Sequence, residues 1–231
     1  MAKNPYYQKE VTCPVCLTEF ETTAVRPNRC IPNGRDSDFC QHYPDANPYF
    51  YDSWVCPECH YASPKSIFND LKKSEVNTIA KILANSELNL SPTGQRDLEQ
   101  AIIYNKLALL FLSYRDVTNG IIAGITLKTA WLFRLKEDKD QEKEYLEKAL
   151  GFYKEAYSKE RLPIGGLNEV KITYLLGELS RRIGNYKEAI KWFDKTVNNP
   201  LASTQPALVK MARDQWALTK DLYDKYRPLS S

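Results

Sequence analysis

Two short units, CPVC at residues 13–16 and CPEC at residues 56–59, constrain this 231-residue chain more than any other feature. Each puts two thiols on one tight turn, and the proline after the first cysteine stiffens that turn. Two such turns can close on a single ion and set four sulfurs about 2.3 Å from a tetrahedral zinc. Thirty-nine residues separate Cys16 from Cys56, so the closure would tie together segments that are far apart in the chain. The expected ligands are Cys13, Cys16, Cys56 and Cys59, and the expected cofactor is one structural Zn2+, with iron as the other ion that four thiolates accept. A closed four-thiolate shell leaves no position for a reacting water, which points away from a catalytic metal. Binding of this kind contributes roughly 10–16 kcal/mol in small peptides, enough to fold a module with little core of its own.

The flanks suit a zinc ribbon. EFETTAV (19–25) and YFYDSWV (49–55) are rich in β-formers, so each turn is expected to cap a strand. A dithiol redox centre is the competing reading, but it needs a helix start directly after the motif, where the dipole activates one thiol. Leu17 and His60 stand where many such turns carry glycine, a departure that removes no ligand.

Charge and hydropathy narrow the function classes. Lys+Arg number 32 and Asp+Glu 29, a net charge of +3, too small to imply nucleic-acid or membrane binding in bulk. Residues 1–70 hold six basic and nine acidic side chains, so the cysteine-bearing part is the acidic one at −3. Phosphate recognition needs clustered Lys and Arg, which argues against a nucleic-acid partner for that part. No charged and apolar leader opens the chain, and apolar runs such as LALLFL (107–112) fall far short of a membrane span. A cytoplasmic location is expected, where paired cysteines serve metals more often than disulfides.

All six cysteines lie before residue 63, and helical periodicity follows. The expected division is therefore a zinc-ribbon-like four-cysteine module with a long inserted loop at 1–63 and an α-helical domain at 64–231. Eight helices are expected, at about 64–73, 74–86, 96–114, 118–135, 140–158, 168–183, 185–198 and 206–226. Residues 173–200, TYLLGELSRRIGNYKEAIKWFDKTVNNP, resemble a tetratricopeptide repeat. Leu176-Gly177 matches the small pair at the helix crossing, Gly184 and Tyr186 the turn, and Ala189 and Phe193 the small and large positions of the second helix. Thr173, Ser180 and Thr196 depart from the usual residues. A looser copy runs from Ala130 and Phe133 to Ala149, Tyr153 and Ala156, with about seven extra residues in its turn, filled by LKEDKDQEK. The expected class is mainly α: tetratricopeptide-like stacked hairpins with a small N-terminal β module.

Two further groups of residues are candidates. Cys30, Cys40 and His42 are left over from the ligand set, and Arg35, Asp36, Asp38, Cys40 and His42 form a candidate loop site. If the repeat frame holds, Lys171, Tyr174, Glu178, Arg181 and Arg182, with Trp131 and Arg134 from the earlier copy, line a concave groove. Basic groups beside aromatics there suit an acidic protein segment, held by charge-assisted hydrogen bonds.

The order and spacing of CPVCLTEFET, RDSDFC, NPYFYDSWVCPECHYA, KALGFYKEAY and GELSRRIGNYKEAIKWF resemble the bacterial family named domain of unknown function 2225, over about residues 8–222. The resemblance implies a zinc-ribbon-like segment followed by a tetratricopeptide-like body, and no established activity. It carries the ligand role to Cys13, Cys16, Cys56 and Cys59, and marks Arg35, Asp36, Asp38 and Cys40 as a loop signature. Cys30 lies outside that pattern.

The expected function is a non-enzymatic zinc-binding protein that holds a protein partner in its helical groove. No nucleophile motif or phosphate loop is present, and only two histidines are available. The alternatives are a metal- or thiol-dependent enzyme or redox sensor using the Arg35, Cys40 and His42 loop, and a nucleic-acid-associated zinc-ribbon protein.

Overall fold

The structure is a computed structural model that describes residues 4–85, 88 and 90–226. The chain is mainly α, with a small N-terminal β region. Among the described residues there are six short strands and seven α-helices, and no helix is long and apolar enough to cross a membrane.

The chain divides into two compact units, but not at residue 63. The first comprises residues to Asp36, Cys40–Val117 and Lys128–Lys139; the second comprises Ser37–Phe39, Thr118–Leu127 and the residues from Asp140. Shared burial explains why the cysteine module does not stop at 63. Val11, Trp54, Val55, Tyr61 and Ala62 from the module lie in one core with Phe68, Ile79, Tyr104, Leu107 and Phe111 from the segments that follow.

In the first unit, β1 (Tyr6–Thr12) pairs antiparallel with β2 (Glu19–Val25), with Thr12 opposite Glu19. β3 (Gly34–Arg35) pairs with β4 (Gln41–His42), and β5 (Ser53–Val55) with β6 (Ala62–Pro64). The strand expected over 49–55 is halved. Asn47 accepts a hydrogen bond from the Tyr49 amide at 2.9 Å, and this cap with Pro48 winds Pro48–Tyr51 into a 3-10 turn. The helix expected over 64–73 is likewise absent. Pro64 closes β6 opposite Ser53, only the 3-10 turn Lys65–Ile67 follows, and α1 starts at Lys73 and runs to Ala84. The expected end of that helix at Ser86 lies outside the described residues.

α2 (Leu98–Leu112) is apolar on more than one face and buries Ala101, Ile102, Tyr104, Leu107, Ala108, Phe111 and Leu112. Asp97 and Gln100 form its capping box, at 2.8 and 3.1 Å. A buried arginine flanks each end of this helix. Arg96 donates to the carbonyls of Ser53 (2.6 Å) and Phe50 (3.1 Å) between the Tyr51 and Tyr104 rings, and burial pulls its guanidinium down to about 10. Arg115 donates to Ser63 Oγ (2.8 Å) and to the carbonyls of Ile67 and Asp70. Both supply donors to carbonyl groups in and beside the short strands.

α3 spans Asn119–Leu135 and α4 spans Lys139–Lys159. Only Lys136–Asp138 break the helix between them, with Glu137 at φ 61°, so most of the charged insertion LKEDKDQEK is helical instead of lengthening a turn. In the second unit, α5 (Glu169–Arg182), α6 (Tyr186–Val197) and α7 (Pro206–Tyr226) pack in series, α5 against α6 and α6 against α7. Asn168 caps α5 by accepting from the Lys171 amide, and Gly184, at φ 87°, ends it. Val170, Tyr174, Ala189, Phe193, Leu208 and Ala212 form the core here. Gly177 lies against Phe193 so closely that a Cβ would stand 2.8 Å from the ring, which accounts for a residue without one at that crossing.

Candidate functional site

Each cysteine pair sits on the turn between two antiparallel strands, Cys13 and Cys16 between β1 and β2, Cys56 and Cys59 between β5 and β6. The two turns repeat one hydrogen-bond scheme. Leu17 N donates to Cys13 O at 3.0 Å and Cys13 N to Thr18 O at 2.9 Å; His60 N donates to Cys56 O at 3.0 Å and Cys56 N to Tyr61 O at 2.9 Å. Leu17 and His60 adopt φ 65° and 63°, the left-handed conformation that glycine would supply without strain. Non-glycine residues therefore stand at these positions without changing the shape of the turn.

The four sulfurs lie within 4.8 Å of one another, with Cys13 to Cys59 and Cys16 to Cys56 both at 3.6 Å. A tetrahedron with Zn–S near 2.3 Å has edges of about 3.8 Å, so the donor set fits a four-thiolate ion. Cys13 and Cys56 are wholly buried, Cys59 is half-buried and Cys16 faces solvent. Four thiols this close resist ionising together. Hydrogen bonds from Cys13 and then Cys59 pull Cys56 down to about 2, helped by the backbone N–H groups of Cys59 and Glu58. Its bond to Cys56 pushes Cys13 up to about 12, and bonds to Cys13 and Cys56 push Cys59 well above the thiol range. A bound divalent cation would supply the charge that lets all four act as thiolates. Among the described residues this is the one metal-ligating group of its kind, and neither His42 nor His60 joins it.

Cys30 and Cys40 are buried apart from this cluster, and no cysteine is in a disulfide. Cys30 lies in a small core with Val25, Ala46 and Tyr51, where burial raises its thiol above the usual range. The Cys40 thiol points to the Gln41 carbonyl at 3.9 Å.

The loop candidates separate. Arg35 is exposed in β3. Asp36 receives His42 Nε2 at 2.9 Å and Arg134 Nη1 at 2.6 Å, so it joins a loop candidate to a groove candidate inside the first unit. Trp131, also in that unit, packs against Tyr49 with centroids 5.1 Å apart and the ring planes tilted by 46°. Asp38 belongs to the second unit.

There, the residues expected to line an open groove differ in access. Lys171 is exposed and Arg181 and Arg182 are half-buried, whereas Tyr174 and Glu178 are wholly buried. Ser37, Asp38 and Phe39 lie over them. Tyr174 Oη donates to the Ser37 carbonyl at 2.8 Å, and Ser37 Oγ donates to Glu178 Oε1 at 2.6 Å. Arg182 Nη2 donates to Ser37 Oγ at 3.2 Å, and its Nε stands 3.5 Å from the wholly buried Asp38 carboxylate. The Phe39 ring lies 5.3 Å from that of Tyr174. Arg181 clamps Glu178 through two bonds of 2.6 and 2.8 Å. Burial pulls Arg181 down, but these bonds outweigh it and the guanidinium lies above its ordinary value.

A family model described as an uncharacterized protein conserved in bacteria, domain of unknown function 2225, matches residues 6–219. The chain belongs to this family. The matched span runs from β1 into α7 and so includes both cysteine turns, the Asp38 segment and α5. No curated protein and no solved structure matches the chain.

In this family member the sequence signals for the cysteine site and for the α5 residues were separate and local. The pairing of Asp38 with Arg182 across 144 positions had no such signal, because the charges of RDSD read as a local, solvated loop cluster. Arg96 and Arg115 went unread for the same reason: a single arginine beside a helix looks like surface.

Proposed function

We propose that the protein is a non-catalytic interaction protein, stabilised by a structural zinc, whose α5 surface holds short acidic peptide segments. The observation that supports this most is the way α5 receives Ser37–Phe39. A peptide carbonyl, a hydroxyl, a carboxylate and an aromatic ring each meet a matching group on Tyr174, Glu178 or Arg182. That is the chemistry by which helical-hairpin surfaces take extended peptides. Zinc is favoured as the ion by an all-thiolate donor set at tetrahedral spacing, with no protein ligand position left open. Free thiols outside disulfides suit a reducing, cytoplasmic setting.

The test is made in trans. A variant with Ser37, Asp38 and Phe39 replaced by glycines, checked for native helicity, is titrated with a peptide of residues 33–43. Saturable uptake that Asp38→Ala in the peptide removes supports the reading. A folded variant that takes up no peptide overturns it.

A further inference from the structure

Besides the α5 surface, the second unit carries a cleft of about 530 Å³ lined by Asn185, Lys187, Glu188, Lys191, Trp192 and Lys195. Lys187, Lys191 and Lys195 recur every four residues along α6, so they stand on one face about 6 Å apart along the axis. All three are exposed, and Lys187 and Lys191 form no ion pair with any described residue. Asp194 lies on the side of this stripe away from Trp192.

One side chain lining the cleft, Trp192, is aromatic, and the Tyr157 ring braces it. Trp192 and Tyr157 meet edge to face with centroids 5.5 Å apart, and both are half-buried. Each is oriented through its polar atom. Trp192 Nε1 donates to Glu188 at 3.3 Å, and Tyr157 Oη donates to Glu169 at 3.1 Å. Lys195 Nζ hovers 4.6 Å from the Tyr157 centroid and 5.5 Å from that of Trp192. The carboxylate in the cleft, Glu188, is itself neutralised, by Lys154 at 2.5 Å, and takes a further bond from Asn185 at 2.7 Å. The net field of the cleft is therefore cationic.

We propose that this cleft binds single-stranded nucleic acid. Trp192, braced by Tyr157, offers a fixed aromatic surface for a base, and the lysine stripe offers ammonium groups for successive phosphates beside it, the combination by which single strands are held without sequence readout. A glutamate-rich peptide, with no ring of its own to stack, would use the lysines alone. The bulk charge of the chain gives no reason to expect this site, and the acidic cysteine module takes no part in it. The inference stands independently of the α5 reading.

The experiment measures anisotropy of a labelled twelve-nucleotide oligouridine against the metal-loaded full chain between 50 and 300 mM salt. The expected logarithmic slope of affinity against salt is about −2, as three neutralised phosphates give in a single strand. Lys187→Glu with Lys191→Glu should lower affinity at least about tenfold. Trp192→Ala should also lower it about tenfold, within the range for losing one stacked base, and Trp192→Phe should keep it within about threefold. The Phe variant, with circular dichroism of each protein, separates loss of stacking from loss of fold. Absence of binding overturns the proposal, as does loss on the lysine changes with none on Trp192→Ala. Equal competition by a glutamate-rich peptide would assign the cleft to acidic protein segments instead, and equal affinity for duplex would remove the single-strand claim.

Discussion

The Asp38 carboxylate stands 3.5 Å from Arg182 Nε, and Asp38 is wholly buried although it follows three polar residues in sequence, Arg35, Asp36 and Ser37. It shares that buried position with Glu178, and the two carboxylates face the guanidinium groups of Arg181 and Arg182. The group is neutral as a whole, so removing one member strands a charge. Arg182→Ala is expected to cost about 3 kcal/mol, the low end for breaking a buried pair, because Arg182 keeps some solvent contact. Asp38→Asn should cost less, since the amide still accepts a hydrogen bond. Urea unfolding of both single variants and the double variant measures the coupling. A coupling near zero would mean that Arg182 serves Glu178 alone.

The four-cysteine cluster makes a prediction about metal content and protons together. Purified protein should carry about one zinc per chain, and Cys56→Ser should lower both metal content and thermal stability. Cys13 and Cys59 lie above the ordinary thiol range in the absence of a cation, so metal uptake must drive protons off them. Uptake should therefore release protons and weaken as pH falls. Calorimetry in two buffers of different ionisation heat reads the release. Zinc binding with no proton release at neutral pH would count against four coordinating thiols.

Gly177 is expected to tolerate no Cβ. At 2.8 Å from Phe193 Cδ1 and Cε1, an alanine would force the ring or the helix crossing to shift, costing about 1–3 kcal/mol by overpacking and outweighing alanine's better helix propensity. Gly177→Ala combined with Phe193→Leu should cost less than the sum of the two single changes, because the smaller side chain makes room. Thermal unfolding of the four proteins checks this. Additive losses would show that the crossing does not set the glycine.

How far the sequence reveals this molecule depends on the distance over which each signal acts. The cysteine turns and β2 are set by residues within seven positions, and the structure places β2 at Glu19–Val25, the expected span. The α5 to α6 hairpin was legible because Gly177, Ala189 and Phe193 are buried where the helices cross and Gly184 takes the left-handed conformation of the turn. The 3-10 turn at Pro48–Tyr51 was missed because an Asn-Pro cap outweighed an aromatic, strand-like composition. The compact units do not follow the break in composition because α2 is buried on faces that complete the core of the cysteine module, and composition alone does not say which core an apolar helix joins. The burial of Asp38 and Glu178 was missed because it exists only once residues far apart in sequence have met.

Leu17 and His60 yield the last prediction. Both occupy the left-handed region, at φ 65° and 63°, where a Cβ costs roughly 1–2 kcal/mol. Leu17 is 75% exposed, so its side chain recovers little of that by packing. Leu17→Gly should therefore stabilise the protein, by about 0.5–1 kcal/mol once the greater entropy of an unfolded glycine is counted. His60 is half-buried, and His60→Gly should gain less, because the imidazole loses contacts when it is removed. Metal content should be unchanged in both, since Leu17 and His60 each hold the turn through a backbone N–H that glycine keeps. Denaturant midpoints with metal stoichiometry measured on the same samples decide the matter. A destabilised Leu17→Gly with full metal would show that the leucine makes a packing contribution larger than its exposure allows.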